Sequence, residues 1–295
     1  MAQKTRLQIA RKDIFALLDS GPKILRLRQI ERMVDENRDG WRLAKNMRIH
    51  QFVDFLTQSG RLRVVKFPFP TRTETLYVWG NATLPELTQC IRPNSYLSHY
   101  SAMSFHSLTE QTPNTIYVTA ERTSRPNAAG ELTQVDIDHA FEKSATLTSN
   151  QIVVDGRTIV LVSGMATGQE GVETISVTNE DGLGSHQLKV SGVERTLIDA
   201  VVRPHYCGGV GEILKAFELA REVVSVNTLC AQLKRLGFLY PYHQAIGFYM
   251  ERAGYSPRQL DLIRAFPIQF NFYLRKGMEE RAFDSTWKVF YPQFF

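Results

Sequence analysis

The order of hydrophobic periodicities in the first 80 residues constrains this chain most. Three stretches repeat apolar residues at helical spacing, and two stretches rich in β-branched and aromatic residues follow them. In residues 9–19 the apolar set is Ile9, Ile14, Leu17 and Leu18. Ser20, Gly21 and Pro22 end that segment, because a proline disfavours α geometry in its predecessor. A second helix is predicted from about Leu25 to Asn37, with Leu27, Ile30, Met33 and Val34 as its buried stripe, and Asp39-Gly40 is a turn signal. A third is predicted from about Leu43 to Ser59, where Ile49, Phe52, Val53 and Leu56 share a face and Gly60 stops the helix. RLRVVKFPF (61–69) and TLYVW (75–79), separated by the turn-prone Pro70, Thr71 and Arg72, predict a hairpin. Three helices followed by a hairpin is the order of a winged helix-turn-helix, whose third helix enters the major groove while the wing lies along the backbone.

Charge favours a polyanionic partner for this segment. Residues 1–80 hold 16 Lys and Arg against 8 Asp and Glu, whereas residues 81–295 hold 19 against 22. Basic side chains that neutralise phosphates release condensed counterions, which drives binding at low salt. Charge alone leaves a merely solvated basic surface open; the element pattern favours DNA. On the third predicted helix, Lys45 and Arg48 can bond guanine, Asn46 and Gln51 can bond adenine, and His50 lies beside them. On the wing, Arg61, Arg63, Lys66 and Arg72 are placed to meet phosphates. Asp54 and Glu74 oppose such contacts, and a winged helix that binds protein is the alternative use of the same fold.

The expected fold class is α+β: a winged helix over 1–80, then a larger mixed domain over 81–295 with an antiparallel sheet and a helical C-terminal part. Thr83 and Glu86 form a capping box that opens a short connecting helix, 84–91. Residues 95–110 read as a small-residue helix, 114–121 as a strand, 122–132 as a surface loop and 134–144 as a helix. Hairpins are predicted for 151–155 with 157–163, around Asp155-Gly156, and for 172–177 with 186–191. A second capping box, Ser191 to Glu194, precedes a helix over 193–204, and further helices fit 210–223, 226–236, 240–253 and 256–265. The segment 268–295 is rich in aromatic residues.

Two blocks in this larger part resemble the AbiEi family, antitoxins of AbiE-type toxin–antitoxin and abortive-infection systems. One is the Tyr96-Leu97-Ser98-x-x-Ser101-Ala102 segment continued by HSLTEQTPNTIYV (106–118); the other is S-x-x-ERTLIDA (191–200) followed by Gly208-Gly209. The resemblance implies a two-part protein that is not itself an enzyme. Its winged helix would bind and repress its own promoter, and its larger domain would neutralise a nucleotidyltransferase-type toxin. In physical terms, Arg195 and Asp199 stand at i and i+4 and can pair. Exposed, that pair is worth only ~0.3–0.5 kcal/mol; buried, the guanidinium could tie strands or loops together through several donors.

Enzyme readings find little purchase. His99 and His106 are seven apart, too far for the i, i+4 pair that grips zinc. His205 and Cys207 lie in a Pro/Gly turn without a partner pair, and GLGSH (182–186) lacks the spacing of a phosphate loop or nucleophile elbow. Asp136 and Asp138 alone make no metal site, so no cofactor or metal is expected. The three cysteines form no CxxC, no apolar run approaches the ~20 residues that span a bilayer, and the start shows no apolar signal region. A cytoplasmic setting is therefore expected. The alternative function is a nuclease targeted by the winged helix, which EDTA-sensitive cleavage of plasmid or RNA would reveal.

Overall fold

Where side chains must point decides which of the expected helices form. In the computed structural model, which describes residues 4–124, 131–178 and 184–295, the chain divides into two compact units, 1–93 and 94–295. The expected boundary lay at 80/81. The intervening connector helix belongs to the first unit: Arg26 donates to the Cys90 carbonyl at 2.7 Å, and Arg92 Nε lies 3.0 Å from Glu74 Oε1.

The first unit contains α1 (Arg6–Ile9), α2 (Arg11–Ser20), β1 (Ile24–Leu25), α3 (Leu27–Asn37), α4 (Ile49–Gln58), β2 (Leu62–Pro68), β3 (Thr73–Trp79) and α5 (Leu84–Gln89). Ile14, Ile30, Phe52 and Leu56 are fully buried at its centre, and Trp41 stacks on Phe52 with ring centroids 5.9 Å apart. Three assigned core positions differ: Ile9, Leu17 and Leu27 are exposed. Ile9 ends the short α1, and Leu25 takes the inward position expected of Leu27 because its backbone has become a strand. That strand was not anticipated. It pairs antiparallel with β3 (Ile24 opposite Val78), giving a three-stranded sheet in the order β1-β3-β2. The hairpin forms in the expected place, with Leu62 opposite Trp79 and Pro68 opposite Thr73.

The third helix is shorter than expected, beginning at Ile49 rather than Leu43. Trp41 and Leu43 are both buried, a two-residue spacing that one helix face does not provide. Arg42 between them takes a left-handed conformation (φ 51°), and Arg38 closes the turn by donating to the Ala44 carbonyl at 3.0 Å. Arg48 is extended (φ −85°, ψ 148°) and becomes the N-cap residue.

The second unit is built on a six-stranded sheet of β4 (Ser95–Leu97), β5 (Thr115–Glu121), β6 (Gln151–Val154), β7 (Arg157–Gly164), β8 (Val172–Thr178) and β9 (Ser185–Ser191), in the order β6-β7-β5-β4-β9-β8. The two expected hairpins, β6–β7 and β8–β9, form its edges. At the β6–β7 turn Asp155 and Gly156 both have positive φ, 50° and 77°, as the tight two-residue turn demands. The sheet is mixed rather than antiparallel throughout, because β5 runs parallel to β7 and β4 parallel to β9. The helix expected over 95–110 is likewise divided: β4 takes its first three residues, all buried, and α6 spans only His99–Phe105. A strand flanked on both sides must satisfy its amides laterally, which overrides the helical look of the segment.

The helices α7 (Gln134–Glu142), α8 (Val193–Val202), α9 (Val210–Ala220), α10 (Val226–Leu236), α11 (Tyr242–Arg252) and α12 (Pro257–Arg264) follow the expected positions, α10 over the expected span and the others shorter by one to three residues at one or both ends. The aromatic C-terminal segment forms a small sheet, β10 (Phe272–Tyr273), β12 (Val289–Pro292) and β11 (Arg281–Asp284), in that order. Its Trp287 is fully buried against Gly247 of α11, where a Cβ would lie 2.2 Å from the indole. The architecture is mixed α+β. Among the described residues no helix is long and apolar enough to cross a membrane. The loops expected over 122–132 and 178–185, and the Gly-rich GLGSH, extend beyond the described residues.

Candidate nucleic-acid interface

The exposed start of α4 collects the polar side chains assigned to base reading. Phe52 and Leu56 face the core, while His50, Gln51, Asp54, Thr57 and Gln58 are exposed on the other side. Lys45 and Asn46 are not on the helix. They occupy the turn ahead of it, closed by Met47 N–H donating to the Ala44 carbonyl at 3.0 Å, and both are exposed. Arg48 projects from the N-cap position and is exposed. Among the described residues none of Lys45, Arg48 and His50 has a carboxylate partner, so their donors face water. Arg42, in the same linker, is also exposed and was not among the expected residues.

Gln51 is partly committed elsewhere. Its Oε1 accepts the Arg48 backbone N–H at 3.0 Å, capping the helix, so only its amide nitrogen is left to donate. Asp54 lies on the same exposed face, one turn further along, and repels phosphate.

The four wing residues do not form one set. Arg61 pairs with Asp19, and its guanidinium lies over the Trp79 ring at 4.5 Å and the Phe15 ring at 5.3 Å. Trp79 Nε1 also donates to Asp19 at 2.8 Å, and these two donors hold the Asp19 carboxyl below its usual range, the indole bond first. Arg61 is thus a clasp between the end of α2 and the sheet. Arg72 is held by Glu74 at 2.5 Å. Arg63 and Lys66 are exposed, but strand alternation places them on opposite faces of β2. Arg63 reaches the Gly80 carbonyl at 3.4 Å, and Lys66 has no partner among the described residues.

The second unit contains a buried polar centre that sequence reasoning only partly reached. Arg195 and Asp199 pair at 2.9 Å, both buried. Arg195 also donates to the Tyr96 hydroxyl at 3.1 Å, to the Glu170 carbonyl and to Thr167 Oγ1 at 3.4 Å, tying β4 and the loop before β8 to α8. Burial pushes the Asp199 carboxyl up, against the pull of Arg195. Beside it, Ser98 Oγ lies 2.8 Å from His99 Nδ1 and 2.7 Å from Thr119 Oγ1. Burial, then Arg203, His205 and Arg195, press the His99 pKa well down. A cavity of about 250 Å³ adjoins these groups.

Three other residues weighed for catalysis have structural partners. His106 Nε2 meets the Ser191 carbonyl at 2.7 Å, Asp136 accepts the Thr133 N–H at 3.0 Å, and Asp138 accepts the Tyr273 hydroxyl at 2.8 Å. Ser191 and Glu194 do not make the expected capping box. Gly192 is the N-cap residue of α8, and Glu194 instead accepts the Ser225 N–H at 2.8 Å. Among the described residues no three His, Cys, Asp or Glu side chains are placed to hold a metal together.

The chain matches no protein-family model and no curated protein. Among solved structures it is similar to the RV2827C protein from Mycobacterium tuberculosis, with a TM-score of 0.53 over 95% of this chain and 90% of that one, at 13% identity. At that identity the likeness concerns the fold.

Proposed function

We propose that this protein is a DNA-binding repressor whose first unit is a winged helix and whose second unit captures a partner protein, the arrangement of an AbiEi-type antitoxin. One observation carries the DNA reading: Lys45, Asn46, Arg48 and His50 stand exposed around the start of α4, with no carboxylate among the described residues tying down their cations. In helix-turn-helix proteins the N-terminal residues of the recognition helix meet base edges. The α2-β1-α3-α4-β2-β3 order, with β1 added to the hairpin sheet, supports α4 as that helix and the β2–β3 hairpin as the wing. In this reading Arg63 and Lys66 of the wing meet phosphates, while Arg61 and Arg72 hold the wing's own structure.

The partner is a basic protein on charge grounds, because residues 94–295 carry 18 Lys and Arg against 21 Asp and Glu. The resemblance of 95–118 and 191–209 to AbiEi antitoxins makes a nucleotidyltransferase-type toxin encoded beside this gene the first partner to test. Fluorescence anisotropy with duplex DNA from upstream of the gene tests the repressor half. Growth rescue on co-expressing the neighbouring gene tests the antitoxin half. Absence of rescue would remove the toxin and leave the DNA reading standing.

A further inference from the structure

The second unit is acidic overall, yet one of its cavities is lined by cations. This cavity, of about 830 Å³, is bounded by Arg122 after β5, Arg203 after α8, and Arg275 and Lys276 after β10. No Asp or Glu lines it, and none of the four cations is in an ion pair among the described residues. Arg122 Nε donates to Ser163 Oγ at 2.7 Å and Arg203 to the Ser163 carbonyl at 2.9 Å, so β7 holds both guanidiniums at the cavity wall. Arg275 and Lys276 are exposed, and the Lys276 ammonium sits 5.6 Å above the Phe141 ring. Positive charge is felt inside: burial, then Arg203 and Lys276, lower the pKa of His205 in the same wall.

Four cations converging on one concavity repel one another; the buried Asp199 offsets part of the Arg203 charge, and no Asp or Glu among the described residues lines the cavity itself. In a unit with an excess of Asp and Glu, such a set is what an anionic ligand would complete. Arginine forks match phosphate oxygens bidentately, and an ammonium supplies a point charge. Three aromatic side chains, Phe141, Tyr206 and Tyr242, stand in the rest of the wall among small, polar and aliphatic residues. Aromatic faces stack on bases without regard to sequence, and the volume falls within the ~300–1,000 Å³ of small-molecule sites. Cations that fit phosphate, beside aromatic side chains, suit a phosphate joined to a planar ring.

We propose that this cavity binds a nucleoside phosphate, either a free nucleotide or the phosphorylated end of an RNA strand. The inference is independent of DNA binding by the first unit. The test uses the intact protein and calorimetric titration with ADP, with a 5′-phosphorylated tetra-adenylate RNA, and with adenosine. Saturable binding of either phosphate-bearing probe, with adenosine at least about tenfold weaker, is expected. ADP binding identifies a nucleotide site, and binding of the RNA alone identifies a strand-end site. Lys276→Glu and Arg275→Glu should each weaken binding at least about tenfold, while Lys276→Arg retains it. Both positions are exposed, so the fold should survive, which unchanged thermal unfolding would verify. No saturable binding of either probe at millimolar concentration would overturn the proposal. So would binding that persists undiminished after charge reversal at both positions, because the first unit would then be the binder.

Discussion

Glu74 is buried beneath Arg92, whose Nε lies 3.0 Å from its Oε1, and Arg72 meets the same oxygen at 2.5 Å. Arg26 approaches the other oxygen at 4.0 Å. One carboxylate thereby joins the residue before α3, the wing tip and the segment after α5. The single acid that argued against DNA contact on the wing is what fixes the wing's shape. Replacing it would remove the carboxylate that these three guanidiniums share. Glu74→Gln should cost about 3 kcal/mol in a denaturant titration of the first unit's transition, in the range for breaking a buried pair. A loss below ~0.5 kcal/mol would show the cage to be solvated.

Arg61 and Arg48 should separate stability from binding. Arg61 bridges Asp19 and covers Trp79, so Arg61→Ala should lower the melting temperature by removing a charge pair and a cation–π contact together. Arg48 has no such partner, and Arg48→Ala should leave melting unchanged while weakening DNA binding. Differential scanning calorimetry and anisotropy on the two variants decide it; the reverse pattern would exchange their roles.

Acid should expose the Asp19 clasp. Its carboxyl is held low in the folded state by the Trp79 and Arg61 donors, so the unfolded chain takes up its proton first as pH falls. The stabilisation is therefore complete above the ordinary carboxylate value of ~3.9 and is lost as pH drops through the lower folded value. The gap in melting temperature between the natural protein and Asp19→Asn should be constant near neutrality and close only in strong acid. A gap that closed above pH ~5 would contradict the assignment.

Arg195 should behave as a structural centre. Its donors reach Asp199, Tyr96, Thr167 and the Glu170 carbonyl, and removing it strands the buried Asp199. Arg195→Met should destabilise the second unit by ~3–5 kcal/mol. Arg195→Met with Asp199→Leu should recover much of that, since an apolar pair carries no uncompensated charge. Failure of the double variant to recover would point to the Tyr96 and Glu170 contacts as the larger part.

Local chemistry explains which elements were legible in the sequence. The Asp155-Gly156 turn, the wing hairpin and the helices of the second unit follow from turn residues and periodicity within a few positions. What escaped depends on distant partners. β1 is a strand only because Ile24 and Leu25 pair with Val78 and Tyr77, and the start of α4 is set by Trp41 and Leu43 entering the core. The role of Arg61 could not be read from its neighbours, because its partner Asp19 is 42 residues away. Of the residues proposed to meet DNA, the exposure of Lys45, Asn46, Arg48 and His50 was legible in the sequence. The capping duty of Gln51 and the engagement of Arg72 were not, since both depend on where a backbone amide or a buried carboxylate comes to rest. The cationic cavity was illegible for the same reason: its four cations come from three separate chain segments.

The central claim is that the polar start of α4 grips duplex DNA. The direct measurement is anisotropy of the full-length protein on its upstream duplex across a salt series, for the natural chain and for Lys45→Ala with Arg48→Ala. Saturable binding is predicted, with log K falling linearly against log salt, and the slope should become shallower by about 2 in the double variant as two cations are removed. Absence of binding at ~50 mM salt, or an unchanged affinity and slope in the double variant, would contradict the account.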